Sequence, residues 1–134
     1  MDVLLKKLNY KTGTIVVLNA PPEFRHTAEG WKDEFPLEES LGGEAASFLL
    51  VFAKDAAEVA SIVAPAAKRL DATAVFWVAF PKRSSPHYSS DIDRDKLWPM
   101  MAAMGFSPNR NVAIDEDWSA LRFAPAAQDP GRWA

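Results

Sequence analysis

The chain has 134 residues, 49% hydrophobic and 25% charged, with a formal net charge of −3 and no cysteine. That length suits one domain with a real core, and the mixed composition excludes a disordered or fibrous chain. The small net charge gives no electrostatic basis for a nucleic-acid or membrane partner, and the lack of cysteine removes disulfides and thiolate chemistry.

From the N-terminus, Val3, Leu4, Leu5 and Leu8 fall on one face of a short helix over residues 2–9, and Gly13 stops it. No stretch reaches the length of a membrane span, and the start MDVLLKKLNYKTG lacks the apolar run of a secretory leader, so cytoplasmic residence is expected. Residues 14–18 (TIVVL) read as a strand buried on both faces. A helix is expected over 22–32, with proline in its first turn and Phe24, Ala28 and Trp31 at helical spacing. A short strand at 35–39 and a turn at Leu41-Gly42-Gly43 precede a second apolar strand over 47–53. The next helix opens near Asp55 and carries Val59, Ile62, Val63, Ala66 and Leu70 on one side, where Pro65 must kink or split it.

Residues 74–80 (AVFWVAF) form the most hydrophobic strand, expected at the centre of the sheet. A polar loop runs to Ser90, and Ser90-Asp91-Ile92-Asp93 reads as a hydroxyl-capped helix start, the helix ending at Gly105. Residues 111–114, the acidic turn 115–117 and residues 118–123 read as a hairpin. Strands alternating with helices imply a parallel sheet covered on both faces, closed by this antiparallel hairpin: a three-layer, Rossmann-like α/β domain over 1–124. Residues 125–134 are expected to be a flexible tail.

With that element order, the chain resembles a reduced S-adenosylmethionine-dependent methyltransferase fold. In the segments LLKKLNYKTG, VVLNAPPEF, FWVAFPKRSS, DIDRDKLW and VAIDEDWSALRF it is similar to a family of small bacterial proteins of unknown function. The methyltransferase resemblance implies a glycine-rich cofactor loop after the first strand, but this chain has Asn19-Ala20-Pro21-Pro22 there. Two prolines fix φ and remove backbone donors that a cofactor would use. Glu38 or Glu39 stands where the family's ribose-binding acid would be. A methyltransferase is therefore not expected, nor any cofactor, and a binding or regulatory module is the favoured reading.

In such sheets, ligands sit beyond the carboxyl ends of the strands. Asn19, Lys54, Lys82, Arg83, Ser84 and Ser85 lie at three such ends, and if those strands are neighbours they form a rim for a small anionic or nucleotide-like ligand. The bland alternative pairs Lys82 and Arg83 with Asp91 or Asp95. A weak esterase would draw on Ser84, Ser85, Ser89 or Ser90 with His87, although no GxSxG turn is present. No metal is expected. The run Asp91-Ile92-Asp93-Arg94-Asp95 has Lys96 and Ala102 where a calcium loop needs glycine and glutamate, and helix capping accounts for its carboxylates. In the hairpin, alternation puts Trp118 and Arg122 on one face, close enough to stack and to form a partner surface. Trp77 and Trp98 read as core, leaving Trp31, Trp118 and Trp133 as candidates for exposure. The hairpin edge is also one route to a homodimer.

Overall fold

Residues 2–42 and 44–126 are described in the computed structural model, so Gly43 and most of the tail expected to be flexible lie outside the described residues. Within them the strands are β1 (Ile15–Leu18), β2 (Leu37–Glu38), β3 (Ala46–Phe52), β4 (Leu70–Pro81), β5 (Phe106–Ala113) and β6 (Trp118–Pro125). They form one sheet in the order β2-β1-β3-β4-β6-β5. The first four are parallel, while β6 runs antiparallel to β4 and β5 antiparallel to β6.

The helices are α1 (Val3–Lys7), α2 (Arg25–Glu34), α3 (Ala56–Glu58), α4 (Ala64–Ala67) and α5 (Arg94–Ala102). The strand periodicity decides which face each helix covers. Ile15, Val17, Phe48, Leu50, Phe52, Trp77 and Ala79 pack under α1 and α2, and the alternate residues Val16, Leu49, Val51, Phe76 and Val78 pack under α3, α4 and α5. Three layers result, as the apolar pattern requires.

Several local expectations are revised. The third helix is interrupted by a π turn, Val59–Val63, in which the N–H of Ala64 reaches back to the carbonyl of Val59. The wider turn absorbs the missing N–H of Pro65 just beyond it, which is how the expected break is realised. Leu70 opens β4 instead of closing that helix. β5 starts at Phe106, straight after Gly105 at φ 89, and includes Pro108. The edge position explains this, because β5 pairs only with β6 and its ladder shifts register between Pro108 and Arg110. Helix α5 is capped by Asp93, which accepts from the N–H of Lys96 at 3.0 Å. Ser90 instead donates to the carbonyl of Lys54 at 2.5 Å.

Candidate functional site

Chain order places the sheet's reversal between β1 and β3: β1 leads outward to β2, while β3 leads the other way to β4. Ligands in open α/β sheets favour the crevice beyond the carboxyl ends of such a pair. Here the protein's own groups bond to one another across the crevice. Asn19 takes a left-handed conformation (φ 58), which asparagine tolerates better than most residues. Its Nδ2 donates to the carbonyl of Phe52 at 2.9 Å and to Glu58 Oε1 at 3.1 Å. The same Glu58 oxygen accepts from the N–H of Lys54 at 2.8 Å, and Lys54 Nζ lies 3.5 Å from Oε2.

The loop after β4 is tied to the junction between β3 and α3. Besides the Ser90 bond to Lys54, Asp91 Oδ1 accepts from the N–H of Ala56 at 2.8 Å, beside the Asp55 side chain that caps α3. Asp91 therefore caps a helix 35 residues away in sequence, not the one that follows it. Glu38 does not reach the crevice. It sits level with Val16, two residues short of the end of β1, and with Val16 and Leu41 it lines a cleft of about 460 Å³ towards the amino edge of β1 and β3.

The strands bearing Asn19, Lys54 and Lys82 are neighbours, as the rim requires, but the charges are parted. Lys54 serves Glu58. Arg83 pairs with Asp93, its Nε donating at 2.8 Å, and this bond first, with the N–H of Lys96 second, holds the Asp93 carboxyl below its usual range. Lys82 lines a separate cleft on the α5 side. Ser84 is exposed.

On the α2 side, the loop after β4 meets the turn before β6 in a polar cluster that the sequence did not announce. Asp117, 6% exposed, accepts from Ser85 Oγ at 2.6 Å and lies 3.0 Å from His87 Nδ1. The Ser85 bond first, then His87, holds its carboxyl below the usual range against the opposing effect of burial. His87 is raised in turn, chiefly by its hydrogen bond to Asp117 and then by that carboxylate's charge. Ser85 Oγ also accepts from the N–H groups of His87 and Tyr88 at 3.2 and 3.0 Å.

Serine and imidazole thus converge on one carboxylate. A nucleophile relay would instead hand the serine proton to the imidazole, so the arrangement is a clasp between two loops. His87, Glu116 and Asp117 each place a ligand-type atom within 4.8 Å of the others. Within that group, His87 Nδ1 and Asp117 Oδ1 are in hydrogen-bond contact with each other.

Next to the clasp, Glu23 accepts from Tyr88 Oη and from Trp118 Nε1, the latter at 3.1 Å. Burial favours a raised Glu23, but these two donors outweigh it and hold it low. Burial first, and then Glu23, push the Tyr88 hydroxyl up to about 12, so it remains a donor. Trp118 is not the surface residue expected. It is 2% exposed and packs edge-on against Phe52 and Tyr88, with ring centroids 5.1 and 5.0 Å away.

Nor does Trp118 reach Arg122. The two are level with Pro81 and Trp77 respectively, and four residues along a strand span about 13 Å. Arg122 is half-buried opposite Arg110, and burial first, then Arg110, lowers its pKa. Trp31 is buried as well, whereas Trp98, read as core, is 42% exposed. Leu97 and Met101 take the inner face of α5 and leave Trp98 a step round the helix. Trp133 lies outside the described residues.

No family model matches the chain, and no curated protein matches it in sequence. Solved structures do resemble it. A ribosomal protein L11 methylase from Lactobacillus delbrueckii subsp. bulgaricus superposes with a TM-score of 0.57 at 8% identity, over 90% of this chain and 74% of that one. A magnesium protoporphyrin IX methyltransferase from Synechocystis PCC 6803, with SAH bound, gives 0.57 at 9% identity over 90% and 77%. A glycopeptide N-methyltransferase gives 0.59 at 9% identity over 90% and 87%. At such identities the likeness establishes a Rossmann-like, methyltransferase-type fold, and function does not travel with it.

Proposed function

We propose that this chain is a binding or regulatory module that retains the methyltransferase scaffold without methyl transfer. The observation that carries the reading is the Glu58 carboxylate, held by Asn19 and Lys54 in the crevice at the sheet's reversal. Glu58 takes up the Asn19 amide, the Lys54 N–H and the Lys54 ammonium, the donors an incoming carboxylate or phosphate would need, and Pro21 and Pro22 offer no N–H to replace them. Kinship to the small bacterial proteins sharing DIDRDKLW and VAIDEDWSALRF belongs to the same proposal, as does residence in the cytoplasm.

Calorimetric titration with S-adenosylmethionine and S-adenosylhomocysteine tests the reading. No saturable heat is expected from either compound. Micromolar binding that is lost on Asn19→Ala would show the crevice to be open and the reading mistaken. The second reading, a small anionic ligand at the carboxyl edge, is supported by Lys82, which joins no ion pair among the described residues and lines a cleft there.

A further inference from the structure

Two clefts meet on the α5 side of the carboxyl edge. One, of about 300 Å³, is lined by Lys82, Arg94, Asn111 and Ser119 together with the Arg83–Asp93 pair and Asp95. The other, of about 330 Å³, is walled by Trp98, Pro108 and Leu121. Arg94 and Asn111 line both, so the clefts form one groove. Each volume is near the lower end of the roughly 300–1,000 Å³ typical of small-molecule sites.

The two halves differ in chemistry. In the first, Asn111 Oδ1 accepts from Ser119 Oγ at 2.9 Å, which leaves the amide nitrogen as the group still to be used. Lys82 and Arg94 take no part in the ion pairs found among the described residues. Asp93 is fully engaged, by Arg83 on one oxygen and by the N–H of Lys96 on the other. Asp95 is the carboxylate left over, and it is exposed to solvent. This half therefore presents two cations and an amide donor against the one carboxylate of Asp95, a set with a net positive charge that suits an oxyanion. The second half presents the 42%-exposed indole of Trp98 beside proline and leucine, which suits a flat ring.

We propose that the groove binds a small phosphorylated aromatic molecule of the nucleoside monophosphate class, its phosphate between Lys82 and Arg94 and its ring against Trp98. This rests on the reading of the chain as a binding module and supplies its ligand class.

Calorimetry at low ionic strength with adenosine monophosphate, inorganic phosphate and adenosine as separate probes tests the proposal. The monophosphate is expected to bind about tenfold or more tightly than either fragment, since each fragment fills one half of the groove. The double substitution Lys82→Ala/Arg94→Ala weakens the monophosphate and phosphate about tenfold or more and leaves adenosine unchanged. Trp98→Ala does the reverse, weakening the two ring-bearing probes and sparing phosphate. All three residues lie outside the core, and unchanged thermal melting of the variants verifies the fold. Absence of binding by all three probes, or monophosphate binding that neither variant alters, overturns the proposal. The module reading fails by a different result, namely S-adenosylmethionine binding lost on Asn19→Ala and insensitive to Lys82→Ala/Arg94→Ala.

Discussion

Asp117 is a carboxylate in the interior of a loop junction, and such a group is stable only where donors replace the water it has lost. Ser85 and His87 supply them, and the pH dependence follows from the two directions of shift. The lowered Asp117 contributes stability above its unfolded value of about 3.9 and loses it as pH falls through the lowered folded value. The raised His87 contributes fully below its unfolded value of about 6.5 and loses this as pH rises through the higher folded value. The clasp is therefore firmest between those limits and loosens on the alkaline side. In a proton NMR titration, the imidazole resonance that disappears in His87→Gln should have its midpoint above about 6.5, and Asp117→Asn should bring it down. A wild-type midpoint at or below that value would contradict the pairing. The sequence marked Ser85 and His87 as neighbours but read Asp115-Glu116-Asp117 only as an acidic turn. The contact spans 32 residues from Ser85 to Asp117, and no local spacing encodes it. Glu58 was more accessible to sequence reasoning, since it stands four residues after Lys54, the spacing at which helical side chains meet.

At the scale of elements, the apolar strands were legible because continuous runs such as SFLLVF leave no alternative to burial on both faces. Helix starts and the edge strand were less so. Ser90 and Asp93 both fit a capping pattern, and only the position of Lys54 across the crevice decides which of them caps α5. The first hairpin strand is expected from residue 111, whereas β5 starts at Phe106 and takes in Pro108, because at an edge a missing N–H is tolerated. Helix α1 shows how little holds a short element and where that hold lies. It has five residues, too few to be helical alone. Asp2 Oδ2 caps it by accepting from the N–H of Leu5 at 3.1 Å and also accepts from Trp31 Nε1 at 3.0 Å, joining α1 to α2. Asp2→Ala removes the cap and orphans an indole N–H on a ring 1% exposed. The expected loss is roughly 2–3 kcal/mol in urea unfolding, whereas Asp2→Asn should lose much less because an amide oxygen can accept both bonds. Equal losses from the two substitutions would mean that charge, not the double acceptor, is what the site needs.

At the scale of the whole molecule, β2 and β5 are the outermost strands of the sheet among the described residues, and edges are where a sheet is prone to self-association. The edge at β2 is two residues long and offers almost no ladder. The edge at β5 is eight residues long, but Pro108 lacks a donor, the register shift before Arg110 breaks the row of hydrogen-bonding groups, and Arg110 is exposed. A second β5 added antiparallel would bring two such guanidiniums towards one another, with Arg122 already opposite Arg110 within each chain. Like charges facing one another across a ladder are destabilising, so the hairpin route to a homodimer is opposed by the residues that form the edge. Light scattering across about a hundredfold range of concentration should return the mass of a single chain throughout. The same measurement on Arg110→Val should show concentration-dependent association, because the substitution replaces the repelling group with a strand-favouring apolar one. A wild-type dimer dispersed by Arg110→Glu would place the edge in an interface and reverse the argument.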